Sequence, residues 1–455
     1  MTDKRKQKGK RNSSIAGTLL IAVLCAIVFS TVVFSFITTE RKADTDTSTV
    51  TAAPETTLPQ GPYIESTVTI GSAGDVLMHM PVLESARQSD GTYNFDRIFT
   101  YISDEIKSCD YFVANLETTL AGTENGRKYT SYPCFNSPDS IATALKKAGV
   151  DCLLTANNHT FDTRGHGVKR TLSVIKEMGF DRVGTRENEA DKRYLMKEIS
   201  GINFGIACYT YETENANGKA LNGILTDSET AKIINSFDYT NISAFYEDIG
   251  EDLTNMKNEG ADITIVYLHW GNEYQLTQND HQKKIAKALC EMGVDVIIGG
   301  HPHVVQPVDL ITSEDGTHST VCVYSVGNFI SNQRRNLMGL KTGHTEDGLL
   351  FKMTFSKYSD GTVVFEKVKS VPTWVHMYSG NYNIVPLSKK LESKASALGL
   401  TKSSSGLSLA KGSYERTMEL VKEGTKKCND YLSSLPRPDD AEEETTVLPT
   451  IDVAA

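Results

Sequence analysis

Five times between residues 67 and 303, a short apolar run stops on a side chain that can bind a metal ion or carry a proton. Thr67-Val68-Thr69-Ile70 runs into Gly71-Ser72-Ala73-Gly74-Asp75, and Tyr111 to Leu116 ends on Glu117. Val150 to Leu154 leads to Asn158-His159, Ile263 to Leu268 stops at His269, and Val294 to Ile298 runs through Gly299-Gly300 into His301-Pro302-His303. Apolar runs this short, bounded by polar and glycine residues, read as buried strands. Helical spacing separates them at Ile98–Lys107, Val168–Met178, Asp238–Lys257 and Gln282–Met292. Strands alternating with helices predict an α/β core. In such a core ligands collect at the carboxyl ends of the strands, where these polar residues fall.

Each residue also has a bland reading. Asp75 is a turn carboxylate, Glu117 a helix cap, Asn158-His159 an Asx-type turn and His269 a packed ring. Two imidazoles flanking Pro302 are the hardest to explain by packing. The coincidence of all five at strand ends favours a metal centre. Carboxylate, amide and imidazole together suit Mn, Zn, Fe or Mg, and more than four donors point to two divalent ions.

Further strands are expected at Phe180–Gly184, Phe204–Tyr211 and Val321–Val326. Gly348–Thr354 and Thr362–Val368 flank Ser359-Asp360-Gly361 as an antiparallel hairpin, so the sheets should be mixed. Residues 387–435 read as a C-terminal helical appendage with a Ser/Gly-rich break at 403–408, and 436–455 as a disordered tail.

The N-terminus is separate in character. Residues 1–12 carry six basic side chains against Asp3, and Ile15 to Ile37 contains no charge. That length spans a hydrocarbon core, and the flanking charge orients it. The reading is a basic cytoplasmic segment (1–12), a single-pass anchor in the cell membrane (13–38), a Thr/Pro-rich stalk (39–65) and an extracellular domain (66–386). A cleaved signal peptide is the alternative. The whole chain is at −10, so it is at −15 beyond residue 12. This argues against a nucleic-acid or anionic-membrane binding surface on the ectodomain and implies that an anionic substrate needs a local positive centre, such as a metal ion. Of the eight cysteines, Cys25 falls in the anchor, and the other seven show no CxxC spacing that would hold zinc. Cys109 with Cys134 is the one candidate disulfide.

Taken in order, Gly74-Asp75, Asn115-Leu116-Glu117, Ala156-Asn157-Asn158-His159, His269-Trp270-Gly271, Gly300-His301-Pro302-His303 and Gly327-Asn328-Phe329 resemble the motif series of the bacterial capsule-synthesis CapA/PgsA family. That family is associated with poly-γ-glutamate and is similar to the calcineurin-like metallophosphoesterases. The resemblance implies a four-layer α/β/β/α sandwich of two mixed sheets. It implies that Asp75, Glu117 and His303 hold one ion, and that Glu117, Asn158, His269 and His301 hold the other. His159 would then be a general acid, with Asp162 either orienting it or capping the following helix. Position 77 departs from the phosphoesterase Asp-x-His pattern, being Leu, with His79 two residues on; Glu117 stands where the bridging residue is usually Asp. Tyr209, Tyr211 and Trp270 are expected to wall the cleft, and Arg164 and Arg186 to contact an anion or lie on the surface. His166, His281, His318, His344 and His376 are expected to pack or face solvent. Two functions follow: a phosphoester hydrolase acting on an envelope substrate, or a non-catalytic component that binds an anionic polymer beside other capsule-synthesis membrane proteins.

Overall fold

The computed structural model describes residues 61–438. Among them no helix is long and apolar enough to cross a membrane, and the expected anchor lies outside the described residues.

Two mixed sheets form the body. The first contains β1 (Ile64–Val76), β2 (Tyr111–Asn115), β3 (Cys152–Leu154) and β4 (Asp181–Val183), all parallel neighbours in that order. The second contains β5 (Tyr194–Ile199), β6 (Ile202–Tyr211), β7 (Ile263–His269), β8 (Val296–Gly300), β9 (Val308–Thr312) and β10 (Ser319–Val323), ordered β9-β10-β8-β7-β6-β5. The chain then returns to the first sheet. β11 (Asn328–Ile330) pairs with the end of β1, while β12 (Asp347–Tyr358), β13 (Val363–Tyr378) and β14 (Asn381–Pro386) extend its other edge antiparallel. The β12–β13 turn closes where Asp360 accepts a hydrogen bond from the Thr362 N–H (2.9 Å), the Asx turn that Ser-Asp-Gly favours.

Strand alternation sorts the core into layers. Val68, Ile70 and Val113 of the first sheet meet Ile206, Ile265 and Ile298 of the second in one inner core. Their neighbours Phe112 and Ala114 face outward onto α1 (Ser140–Ala148) and α2 (Arg164–Glu177). Ala207, Val266 and Leu268 face the opposite way onto α3 (Ile242–Asn258) and α4 (Asp280–Glu291). The result is helices, sheet, sheet, helices.

The segment after Pro386 is not an outlying piece. Helix α5 (Gly406–Ser434) presents Ala410, Ser413, Thr417, Val421, Cys428 and Leu432 as a buried stripe at spacings of three, four and seven residues. Val421, Cys428 and Leu432 belong to the core between the sheets. Gly424 lies so close to β9 that a Cβ there would stand 1.7 Å from the Val308 carbonyl oxygen. Arg416 binds the buried Asp347 of β12 through two nitrogens (2.8 and 2.9 Å), so α5 fastens to a strand of each sheet.

Two expectations need correction. Ile98–Lys107 is not one helix but a 3-10 turn (Asp96–Phe99) followed by a short helix (Ser103–Lys107). Cys109 and Cys134 are both free; the Cys109 thiol points instead toward the Glu105 carbonyl oxygen (3.7 Å).

Candidate metal centre

The polar strand ends of both sheets converge at one edge of the sandwich. Asp75 reaches it because β1 shifts register against both β2 and β11 at this residue, a bulge that re-aims the side chain. Gly74 is required there: a Cβ would fall 1.7 Å from the Gly327 carbonyl oxygen. The Asp75 carboxylate is fully buried. It accepts hydrogen bonds from Asn115 Nδ2 (2.7 Å), His303 Nδ1 (3.2 Å) and the His301 N–H (3.3 Å). Burial alone would raise its pKa, but the His303 hydrogen bond and the imidazoles of His269 and His303 hold it below the usual value.

Glu117, just beyond β2, is equally buried, and neither of its oxygens has a hydrogen-bond partner. Oε1 lies 3.3 Å from His269 Nε2 and 4.0 Å from His303 Nε2. Burial and the neighbouring Asp75 push its pKa well above the ordinary carboxylate value. A buried carboxylate with no donor is expensive to maintain, and a cation is the partner its surroundings lack.

The loop after β3 is held by its own side chains. Asn157 Nδ2 donates to Asn115 Oδ1 and to the Leu116 carbonyl (both 3.0 Å), and Thr160 Oγ1 donates to the Thr155 carbonyl (2.7 Å). This frees Asn158 to place Oδ1 2.7 Å from His269 Nε2. Burial lowers His269 to about 4, and it lowers His301 well below the usual imidazole value, with the charge of His269 adding to it. Burial also opposes the charged form of His303, yet Glu117 and Asp75 carry it up to about 9. His301 (φ 94°) and His303 (φ 55°) both adopt left-handed backbone, a strain of about 1–3 kcal/mol each that places both rings on the same side as the carboxylates.

Candidate ligand atoms of Asp75, Glu117 and His303 lie within 4.8 Å of one another, and so do those of Glu117, His269 and His301. Glu117 belongs to both groups. Its orphaned oxygens and the unpartnered, buried His301 Nδ1 fit divalent cations. The donors are divided between the sheets: Asp75, Glu117 and Asn158 come from the first, and the three histidines from the second.

His159 lines the adjoining cleft, and its Nδ1 lies 2.8 Å from Asp162 Oδ2. Asp162 also accepts from the Phe135 N–H (2.6 Å), and Phe135 stands edge-on to the His159 ring (4.7 Å). Asp162 therefore orients the imidazole rather than capping α2, whose capping position is Thr163. Asn222, on a distant hairpin, donates to Asp162 Oδ1 (3.1 Å); nothing in the local sequence marks it.

The cleft, about 370 Å³, is lined by Leu77, His79, His159, Tyr274 and His303. A second depression of about 410 Å³ lies over Tyr211, Tyr239 and His301, and Glu273 lines both. Glu273, unassigned by the sequence reading, forms a third group with His301 and His303 within 4.8 Å. His79 belongs to none of these groups; its Nδ1 accepts from the Asn332 N–H (3.2 Å).

Of the expected cleft walls only Tyr211 serves, 4.7 Å from the His301 ring. Tyr209 lies two residues deeper on the same face of β6, covered by α3 and bonded to Asp252 (2.6 Å), while Trp270 is buried on the Tyr324 carbonyl (2.9 Å). Arg186 is bound to Asn235 (2.6 Å), and Arg164 lies over the Phe161 ring. His166 is exposed; His281 packs on Tyr239, His376 on Trp374, and His318 bonds the Val294 carbonyl. His344 lies 4.0 Å from Asp347.

A family model described as bacterial capsule synthesis protein PGA_cap matches residues 69–333, which include every donor named above. The chain belongs to this family. Within it, the chain is 28% identical over 269 residues to the capsule biosynthesis protein CapA of Bacillus anthracis, covering 58% of this chain and 60% of the relative. It is 27% identical over 273 residues to the PGA biosynthesis protein CapA of Bacillus subtilis (strain 168), covering 60% and 65%. The matched stretch thus spans less than two thirds of either relative. Among solved structures, the chain is similar to the calcineurin-like phosphoesterase YfkN from Bacillus subtilis, with a TM-score of 0.36 and 14% identity over 76% of this chain and 99% of that one.

Proposed function

We propose that this family member is a two-metal hydrolase of phosphoester-type bonds. It would be anchored in the cell membrane by residues 13–38 with its main domain outside, and would act in the synthesis of an anionic envelope polymer of the poly-γ-glutamate kind. The observation that carries the catalytic part is Glu117: one buried carboxylate, without a hydrogen-bond donor, shared by two groups of candidate ligands. The process is carried over from relatives named for capsule and PGA biosynthesis. The anchor rests on the sequence of the N-terminus.

In this reading Asp75, Glu117 and His303 hold one ion, and Glu117, Asn158, His269 and His301 the other. Two divalent ions there would supply Lewis-acid polarisation of a phosphoryl centre. His159, fixed by Asp162, delivers a proton to the leaving oxygen from the ring nitrogen not bonded to that carboxylate. Asn115 and Asn328 hold Asp75 and His303 in register, since Asn328 Oδ1 lies 3.2 Å from His303 Nδ1.

The test is elemental analysis and phosphodiesterase turnover of the detergent-purified full chain beside an Asn158→Ala, His301→Ala double variant. Two equivalents of Mn, Fe or Zn, with turnover lost in the variant, are expected. Metal bound without turnover on any phosphoester would favour the second reading, a polymer-binding component whose ions offset carboxylate charge. The absence of a histidine at position 77 is the observation on that side. No metal in either protein would remove the centre itself.

A further inference from the structure

The two ligand groups are unequal. Glu117, Asn158, His269 and His301 give the second group four donors, whereas Asp75, Glu117 and His303 give the first only three. Leu77, buried at the cleft wall, cannot add another. A divalent ion of the kinds considered takes at least four ligands, and Mn or Mg prefers six. Among the described histidine, cysteine, aspartate and glutamate side chains, one further group approaches His303: the Glu273 carboxylate, in the third cluster with His301 and His303.

Its position is built rather than incidental. β7 ends at His269, and Gly271 (φ 86°) turns the chain with its N–H bonded to the Tyr239 hydroxyl (3.0 Å). Tyr274, next to Glu273, is held at φ 64° by a hydrogen bond from its N–H to the Pro302 carbonyl (2.8 Å). The loop bearing Glu273 is therefore tied directly to the loop bearing His301 and His303. Glu273 also lines the same cleft as Leu77. No lysine or arginine pairs with it among the described residues; Glu214 and Asp238 line the depression on its other side, with Glu212, which lies 3.8 Å from Lys219. Its neighbours are acids, imidazoles and the Tyr274 hydroxyl, none of which supplies a fixed positive charge.

We propose that Glu273 completes the ligand set of the first ion, supplying from β7's loop the donor that Leu77 cannot supply from β1. This rests on the two-metal reading above. A hard oxygen in place of an imidazole shifts the first site toward Mn or Mg and away from Zn. It also lowers the net charge of the loaded centre by one.

The experiment titrates Mn²⁺ into metal-free full-length protein by calorimetry, with bound metal counted by elemental analysis. The proteins are wild type, Glu273→Ala, Glu273→Gln, and Glu273→Ala combined with Leu77→His. Wild type should take up two ions. In Glu273→Ala one of the two should bind more weakly by roughly 10- to 100-fold or more, the range set by even indirect ligand-supporting contacts. Glu273→Gln should fall between, and Leu77→His should restore the weakened ion. Because Glu273 is exposed, the metal-free single variants should melt with the wild type, which separates lost binding from lost folding. Two ions bound by both Glu273 variants with wild-type affinities would overturn the proposal while leaving the dinuclear centre intact. No uptake by the wild type would overturn the two-metal reading instead.

Discussion

Replacing Glu117 by Gln tests the centre in the metal-free and the loaded protein at once. Without metal, Glu117 is a buried carboxylate with two unpaired oxygens beside Asp75. An unsatisfied buried acceptor costs about 1–3 kcal/mol, and more when charged. Gln keeps the volume and removes the ionisable group that burial and Asp75 oppose, so a gain of about 3 kcal/mol is expected. For a folded unit of roughly 380 residues, unfolding entropy near 2.1 cal/mol/K per residue makes that about 4 °C in Tm. Metal should reverse the order. At a hundredfold excess over Kd each ion stabilises the native state by about 2.7 kcal/mol. Two ions would raise the wild type by roughly 6–7 °C on the same conversion, while the variant, lacking the shared carboxylate, gains little. Differential scanning fluorimetry of the chelated and the Mn²⁺-loaded proteins reads both effects. A variant that melts at or below the wild type without metal, or that responds equally to metal, would refute the account of Glu117 as a site built for cations.

Asp162→Asn should lower phosphodiesterase turnover by roughly 10²-fold while leaving metal stoichiometry unchanged, since Asp162 touches His159 and the Phe135 N–H but no member of the ligand groups. Arg416→Met should destabilise the fold by about 3–5 kcal/mol at neutral pH by leaving Asp347 buried without its cation; urea unfolding measures it. Gly74→Ala should abolish soluble protein, because the new methyl group has no space beside Gly327. His376, lowered to about 4 by burial and by the charges of Arg334 and Lys402, binds its proton less readily folded than unfolded. Its contribution is complete above about pH 6.5 and is lost as pH falls toward 4. His376→Phe should flatten that part of the stability profile.

The strands and the inward-facing donors were legible because a buried run and the polar residue that ends it are adjacent in sequence. Asp75, Glu117, Asn158, His269, His301 and His303 each announce themselves this way. What was not legible depends on packing between distant segments. Asn222 reaches Asp162 from sixty residues away. Tyr209 and Tyr211 have the same parity on β6, and only the height at which α3 covers the strand distinguishes the core residue from the cleft residue. Helix α5 carries a stripe of small and polar residues, Ser413 and Thr417 among them, which disguises how deeply it is buried. Glu273 lies four residues past His269, yet only the folded loop brings it over His301 and His303.

The division of donors between the two sheets makes the centre a record of assembly. A chain folded only through β4 owns Asp75, Glu117 and Asn158 but none of the three histidines. Tight binding must therefore wait until the sheets have docked, and α5, the last described element in the chain, fastens strands of both. Metal uptake is then a late event that rivets the two sheets together. The rate at which refolding protein acquires its ions should follow closure of the C-terminal helix rather than formation of either sheet.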